Sequence, residues 1–208
     1  ATLTKGVTQL IDQVSKSHDL VDVEGEESTV PKAIVQTYKV VSTDEMNGAL
    51  WESVRVARDY LSPPKIVVIF ITGRIAAYYA EVFRQSSDLD VFEIHSRMKQ
   101  QQRSAQSDAF RDAETGMLFT SDITSRGLDY PGVTAVIQLG APESRDDYVH
   151  RVGRTGRADS EGLGILLLHD FEADWLVNLE GLPLTEAELD AVESAMRFEE
   201  LSMPENVK

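Results

Sequence analysis

The sequence predicts an α/β fold, with a mostly parallel sheet and helices on both of its faces. Three observations carry that prediction. Apolar runs of strand length alternate with segments of helical periodicity from residue 33 to residue 168. The run at 66–71 is apolar throughout, as a strand covered on both sides requires. Polar and arginine-rich strings follow these elements, and ligands of open α/β sheets gather beyond the carboxyl ends of the strands.

Each element has its own signal. Leu3, Val7, Leu10, Ile11 and Val14 recur at helical spacing, so 3–16 reads as a helix, and 22–31 as an acidic loop. Residues 33–41 alternate as a strand. Asp44 is placed to cap a helix that runs to about residue 60, where Ser62-Pro63-Pro64 stops it. The strand at 66–71 leads to a helix over 73–85, and a short strand at 91–94 to a helix over 99–111. Strands follow at 117–121 and 134–139. A helix over 145–152 has Asp146 and Asp147 in a solvated first turn, and the last strand covers 162–168. Leu184-Thr185-Glu186-Ala187-Glu188 begins a further helical pattern that Leu189, Val192, Ala195 and Met196 continue. The expected division is a main domain over 1–169 and a helical C-terminal extension over 170–208.

Composition narrows the function classes. The chain has 208 residues and no cysteine, which excludes disulfides and thiolate metal sites and points to a reducing, intracellular compartment. No apolar run approaches the roughly 20 residues of a membrane span, and no secretory or transit signal is recognisable. The formal net charge of −15 argues against a nucleic-acid partner, because phosphate contacts need cations. Its distribution removes most of that objection. Residues 90–157 carry 9 Lys/Arg against 10 Asp/Glu, whereas 170–208 carry 11 acids against 2 bases. The middle of the chain is balanced and rich in arginine.

The densest cationic cluster is His150-Arg151-Val152-Gly153-Arg154-Thr155-Gly156-Arg157. Arginine forks match phosphate geometry, and glycines let a backbone come close to a polyanion. Arg154 and Arg157 are three apart, so a helical turn places both on one side. A guanidinium aimed at the γ-phosphate stabilises the charge that builds there during phosphoryl transfer. Shortly upstream lies Ser121-Asp122-Ile123-Thr124-Ser125-Arg126-Gly127-Leu128-Asp129. His18 and His169 sit in no cluster.

Together these two strings resemble motifs VI and V of the DEAD-box RNA helicases. The resemblance covers roughly residues 2–168 and implies the second, C-terminal RecA-like core domain, a three-layer α/β unit, with part of a helical extension similar to that of some mitochondrial and plant members. It implies roles residue by residue. Arg154 and Arg157 would contact the γ-phosphate as arginine fingers, His150 would couple this domain to the other, and Arg151 would be structural or part of the domain interface. Gly127 would let the backbone approach the nucleotide, and Asp129 would bond the ATP ribose hydroxyl. Ser121 stands where the family usually has a threonine that contacts an RNA phosphate. Ile94-His95-Ser96-Arg97 followed by Gln100-Gln101-Gln102-Arg103 resembles motif IVa. Ser96 there takes the place of a glycine whose amide faces an RNA phosphate, Arg103 that of the phosphate-binding arginine, and Arg97 and Gln100 join the same nucleic-acid-binding set. Phe70-Ile71-Thr72-Gly73-Arg74 resembles motif IV, with Thr72 as a further RNA contact, and Ala1-Thr2-Leu3 resembles the end of the Ser-Ala-Thr motif of the first helicase domain.

The sequence contains no G-x-x-x-x-G-K-[ST] loop and no Asp-Glu-Ala-Asp run. ATP and Mg2+ are therefore expected in the intact two-domain enzyme, with neither bound to this chain alone and no resident metal. The expected partners are RNA, bound without sequence preference, and the N-terminal RecA-like domain. No membrane association is expected, and a monomer is the default. A reading from another class is a non-catalytic RNA- or protein-binding module on the same scaffold, which the Ser96 departure and the acidic surface would suit.

Overall fold

The structure is a computed structural model that describes residues 30–121, 130–156 and 160–187. Seven strands form one sheet: β1 (Ile34–Val41), β2 (Lys65–Phe70), β3 (Val91–Ile94), β4 (Gly116–Ser121), β5 (Ala135–Leu139), β6 (Gly162–His169) and β7 (Leu184–Glu186). Their order is β3-β4-β2-β5-β6-β1-β7, and every pairing is parallel. The helices between them are α1 (Met46–Tyr60), α2 (Gly73–Ser86), α3 (Gln100–Asp112) and α4 (Arg145–Val152), and a 3₁₀ helix (Asp170–Leu179) follows β6. This is the α/β layering expected from the alternation of patterns.

Side-chain parity along the strands shows why the sheet needs cover on both sides. Ile66, Val68 and Phe70 of β2, with Phe119 of β4, Ile137 of β5 and Ile165 of β6, pack under α1 and α2 through Leu50, Ala57, Ala76 and Phe83. Val67 and Ile69 face the other way, with Leu118 and Val136, onto Phe110 of α3. On that second face Leu166 and Leu168 pack against Tyr148, Val149 and Val152 of α4. β2, β4 and β5 are buried along their whole length, which explains their unbroken apolar runs. Gly164 brings α4 down onto the sheet, since a Cβ there would lie 2.4 Å from Val152 Cγ2. Lys65 is buried at the start of β2, and its Nζ donates to the carbonyls of Arg111 (3.2 Å) and Ala113 (2.7 Å) at the end of α3. A cation there complements the helix dipole.

Two local expectations change. The N-cap of α1 is Glu45 and not Asp44, and no side chain caps the helix. The Glu45 carboxylate instead accepts from the Ser42 hydroxyl (2.7 Å) and amide (3.1 Å), which closes the preceding turn. Leu184-Thr185-Glu186 does not begin a helix. These residues pair with Gln36, Thr37 and Tyr38 as β7, because the open backbone edge of β1 outweighs a weak helical periodicity. Residues 170–179 do form helix, of the 3₁₀ type, and Leu179 packs into the core beside α4. The remainder of the predicted extension, and the predicted helix at 3–16, lie outside the described residues.

Candidate functional site

A fully parallel sheet has one carboxyl edge and one amino edge, and the candidate residues divide between them. Thr72 follows β2, Ser96 and Arg97 follow β3, and Ser121 ends β4. The order β3-β4-β2 sets these three segments side by side at the carboxyl edge, with neighbouring strands about 4.8 Å apart. Thr72 is the N-cap of α2, and its hydroxyl accepts from the Ile75 amide at 3.3 Å. Ser96 and Arg97 lie in a turn closed by the Met98 amide on the His95 carbonyl at 3.1 Å, and both are exposed. A Cβ at Gly73 would lie 3.4 Å from Ser96 Oγ, so the Ser96 hydroxyl sits over the first turn of α2. Gln100 and Arg103 stand one turn apart at the start of α3. Arg103 Nη2 donates to Gln100 Oε1, while Arg103 Nε is buried without a hydrogen-bond partner. Exposed Arg74, Arg97 and Lys99 add positive charge to the same edge. Ser121 is only 3% exposed, beneath these groups rather than among them.

The arginine string lies elsewhere. α4 starts beyond β5 and runs back along the sheet, so its end reaches the amino edge. Arg154 sits past that end, in a turn tied to the starts of three strands. The Thr155 hydroxyl donates to the Val133 carbonyl at 2.6 Å, just before β5. A Cβ at Gly156 would lie 2.3 Å from Ile34 Cγ1 in β1, and one at Gly162 of β6 would lie 2.6 Å from Thr155 Oγ1. Gly156 has φ +65, in the left-handed region that favours glycine. The turn is thus clamped against the sheet, with Thr155 fully buried. Arg154 Nε donates to the His150 carbonyl at 3.0 Å. Burial lowers the Arg154 pKa from its usual value, and a guanidinium still stays charged near neutrality. His150 is half-buried in the last turn of α4. Arg151 is buried beneath α4, with Nη1 3.5 Å from Gln138 Oε1 of β5, which suits a structural role.

These positions correct two sequence-based expectations. α4 ends at Val152 and Gly156 is left-handed, so Arg154, Thr155 and Gly156 stand outside the helix. Nor do all the motifs meet at the carboxyl edge: α4 begins there but delivers its arginine to the opposite one. Arg157, Gly127 and Asp129 lie outside the described residues. Asp146 and Asp147 are the solvated first turn expected, with Ser144 as N-cap accepting from the Asp147 amide at 3.1 Å. The residues not singled out from sequence are Thr155, Gly156, Gly162 and Val133. The first two stand inside the arginine string, whereas nothing local marks the others. Among the described residues no three His, Cys, Asp or Glu side chains form a cluster able to hold a metal ion.

The helicase conserved C-terminal domain family matches residues 52–159. DEAD-box ATP-dependent RNA helicase 26 of Arabidopsis thaliana is 34% identical over 200 residues, covering 93% of this chain and 23% of that protein. DEAD-box ATP-dependent RNA helicase 31 of Oryza sativa subsp. japonica is 37% identical over 174 residues, covering 82% of this chain and 31% of that protein. The chain therefore spans about a quarter to a third of the length of these curated relatives. In fold it is similar to S. cerevisiae Dbp5 bound to RNA and ADP BeF3, with a TM-score of 0.71 and 22% identity over 91% of this chain and 50% of that one. With the parallel sheet and the matched span in agreement, the chain belongs to the DEAD-box ATP-dependent RNA helicases, as their second, C-terminal RecA-like core domain.

Proposed function

We propose that this domain works in a two-domain RNA helicase, binding the RNA backbone at its carboxyl edge and supplying an arginine to ATP from its amino edge. The observation that carries the reading is the clamped turn that presents Arg154. A half-buried guanidinium, with one N–H already spent on the His150 carbonyl, has little freedom left to re-aim. A pre-aimed cation of this kind stabilises charge as it develops on a transferring phosphoryl group. Arg157 would join it, Gly127 and Asp129 would receive the nucleotide, and His150 would sit at the contact with the first domain. ATP would then lie between the two core domains. The S. cerevisiae protein of similar fold is described with RNA and a nucleotide, and the plant relatives are named ATP-dependent. Mg2+, where it accompanies ATP, falls in this reading to ligands of the first domain.

At the other edge Thr72, Ser96, Arg97, Gln100, Arg103 and Ser121 would follow an RNA strand. The first amides of α2 are unpaired within the helix and carry its positive dipole end, so a phosphate is their natural ligand. Such contacts position a backbone and do not read bases. Closure of the two domains would couple the edges: bending of one RNA strand at the carboxyl edge would coincide with delivery of Arg154 to ATP, and hydrolysis would reopen the cleft.

The test is RNA-stimulated ATP hydrolysis by the two-domain protein, with RNA binding measured in parallel. Arg154→Ala should lower turnover by roughly 10³-fold while nucleotide-free RNA affinity is kept. A loss below tenfold rejects the finger role. RNA binding without turnover in the unmutated protein would favour the non-catalytic module. The present chain alone should show no ATPase.

A further inference from the structure

The 3₁₀ helix at Asp170–Leu179 carries a feature that neither edge uses. Phe171 is 75% exposed and Val177 63% exposed, the two most exposed large apolar side chains among the described residues. In a 3₁₀ helix residues three apart eclipse one another at about 2 Å of rise per residue. Phe171, Asp174 and Val177 therefore stand in one outward row, about 6 Å from one to the next. The opposite side is anchored in the core by Leu179, with Trp175 and Leu176 packed beside it.

This row is held in place. Phe171 stacks on His169 with ring centroids 4.9 Å apart and planes 8° from parallel. The Glu172 carboxylate accepts from the His169 amide (2.9 Å) and the Ala141 amide (3.0 Å), which pins the helix to the carboxyl ends of β6 and β5. The Asp170 carboxylate accepts from the Phe171 amide at 2.8 Å. An exposed aromatic side chain, rigidly supported at a surface, is the usual form of a protein-recognition anchor.

Charge selects the occupant. Residues 170–187 hold five carboxylates and no lysine or arginine. Phosphates of RNA would be repelled, and the cations of the carboxyl edge lie over β2, β4 and β3, away from β6. The chain's own end is a poor fit as well, because 188–208 carry six acids against two bases. We propose that the Phe171–Asp174–Val177 row is a docking surface for a cationic protein segment, with an apolar or aromatic anchor against Phe171 and Val177 and a lysine or arginine on Asp174. An arginine fits best, since its guanidinium can lie over the Phe171 ring and reach the Asp174 carboxylate. A partner here would sit two strand spacings, about 10 Å, from Thr72, close enough to touch a strand of RNA on that edge.

The test uses a fluorescein-labelled 14-residue amphipathic peptide of leucine and arginine, with anisotropy read at near-physiological salt. The unmutated chain should bind it. Phe171→Ala and Asp174→Lys should each weaken binding at least tenfold, Val177→Ala about fivefold, and Glu114→Lys, an exposed charge reversal elsewhere, less than twofold. All four should keep the thermal midpoint of the unmutated chain. Equal loss in Asp174→Lys and Glu114→Lys, with none in Phe171→Ala, would mean bulk charge alone and would overturn the proposal. So would displacement of the peptide by single-stranded RNA that itself needs Phe171. Tenfold tighter binding after removal of 188–208 would make that segment the occupant and overturn it as well.

Discussion

At the carboxyl edge Thr72, Ser96, Arg97 and Gln100 stand exposed on a tight turn and on the first turns of α2 and α3, whereas at the amino edge the arginine turn is wedged against β1, β5 and β6. Thr72, Ser96 and Arg97 could be replaced with little cost to packing. The Arg154 turn has no such independence: Thr155 is buried, Gly156 lies against Ile34, and Gly162 lies against Thr155. The two edges thereby suit two tasks. A backbone-tracking surface needs accessible donors that tolerate many RNA sequences, and helix N-termini supply them. A group that must meet a transition state needs its direction set before substrate arrives, and close packing sets it.

The sharpest way to break this contrast is Arg154→Ala, with turnover down roughly 10³-fold and RNA affinity unchanged. A parallel fall in RNA affinity would show that the edges are not separable. Next comes Gly156→Ala, which places a Cβ 2.3 Å from Ile34 Cγ1 on a left-handed backbone. Strain and overpacking together should lower stability by about 2–4 kcal/mol in urea unfolding. A change under about 0.5 kcal/mol would mean the turn relaxes freely and is not clamped. Thr155→Val removes the donor to the Val133 carbonyl and should cost about 1–3 kcal/mol, with turnover falling further than stability alone requires. On the other edge Arg103→Ala should weaken RNA binding roughly tenfold, with a shallower salt dependence and no change in single-turnover hydrolysis once RNA saturates. The smallest effect is expected for Thr72→Ala, about 1 kcal/mol from the lost cap of α2. That variant should leave the amino edge unaffected, and a drop in turnover at saturating RNA would contradict the division.

Much of this was legible in the sequence because it depends on neighbours along the chain. The unbroken apolar run of β2 announces a central strand, and Asp146-Asp147 announce the solvated first turn of α4. The arginine string stands out through residue type alone. What was misread has a common cause. Leu184-Thr185-Glu186 has weak local preference, and the free edge of β1 decides it. Arg154 lies in a string of helical spacing, but α4 ends at Val152, and the turn that follows is packed against Ile34 through Gly156.

The sequence by itself determined the alternation of elements, the two-sided burial of the sheet and the strings in which arginine, glycine and hydroxyl groups concentrate, since each follows from periodicity or from residue type. Only the tertiary structure decided where those groups stand. The return of α4 across the sheet places Arg154 at the edge opposite Thr72 and Ser96, and packing against residues far away in the chain holds it there. Direction in space depends on such long-range contacts, and no local pattern of residues encodes them.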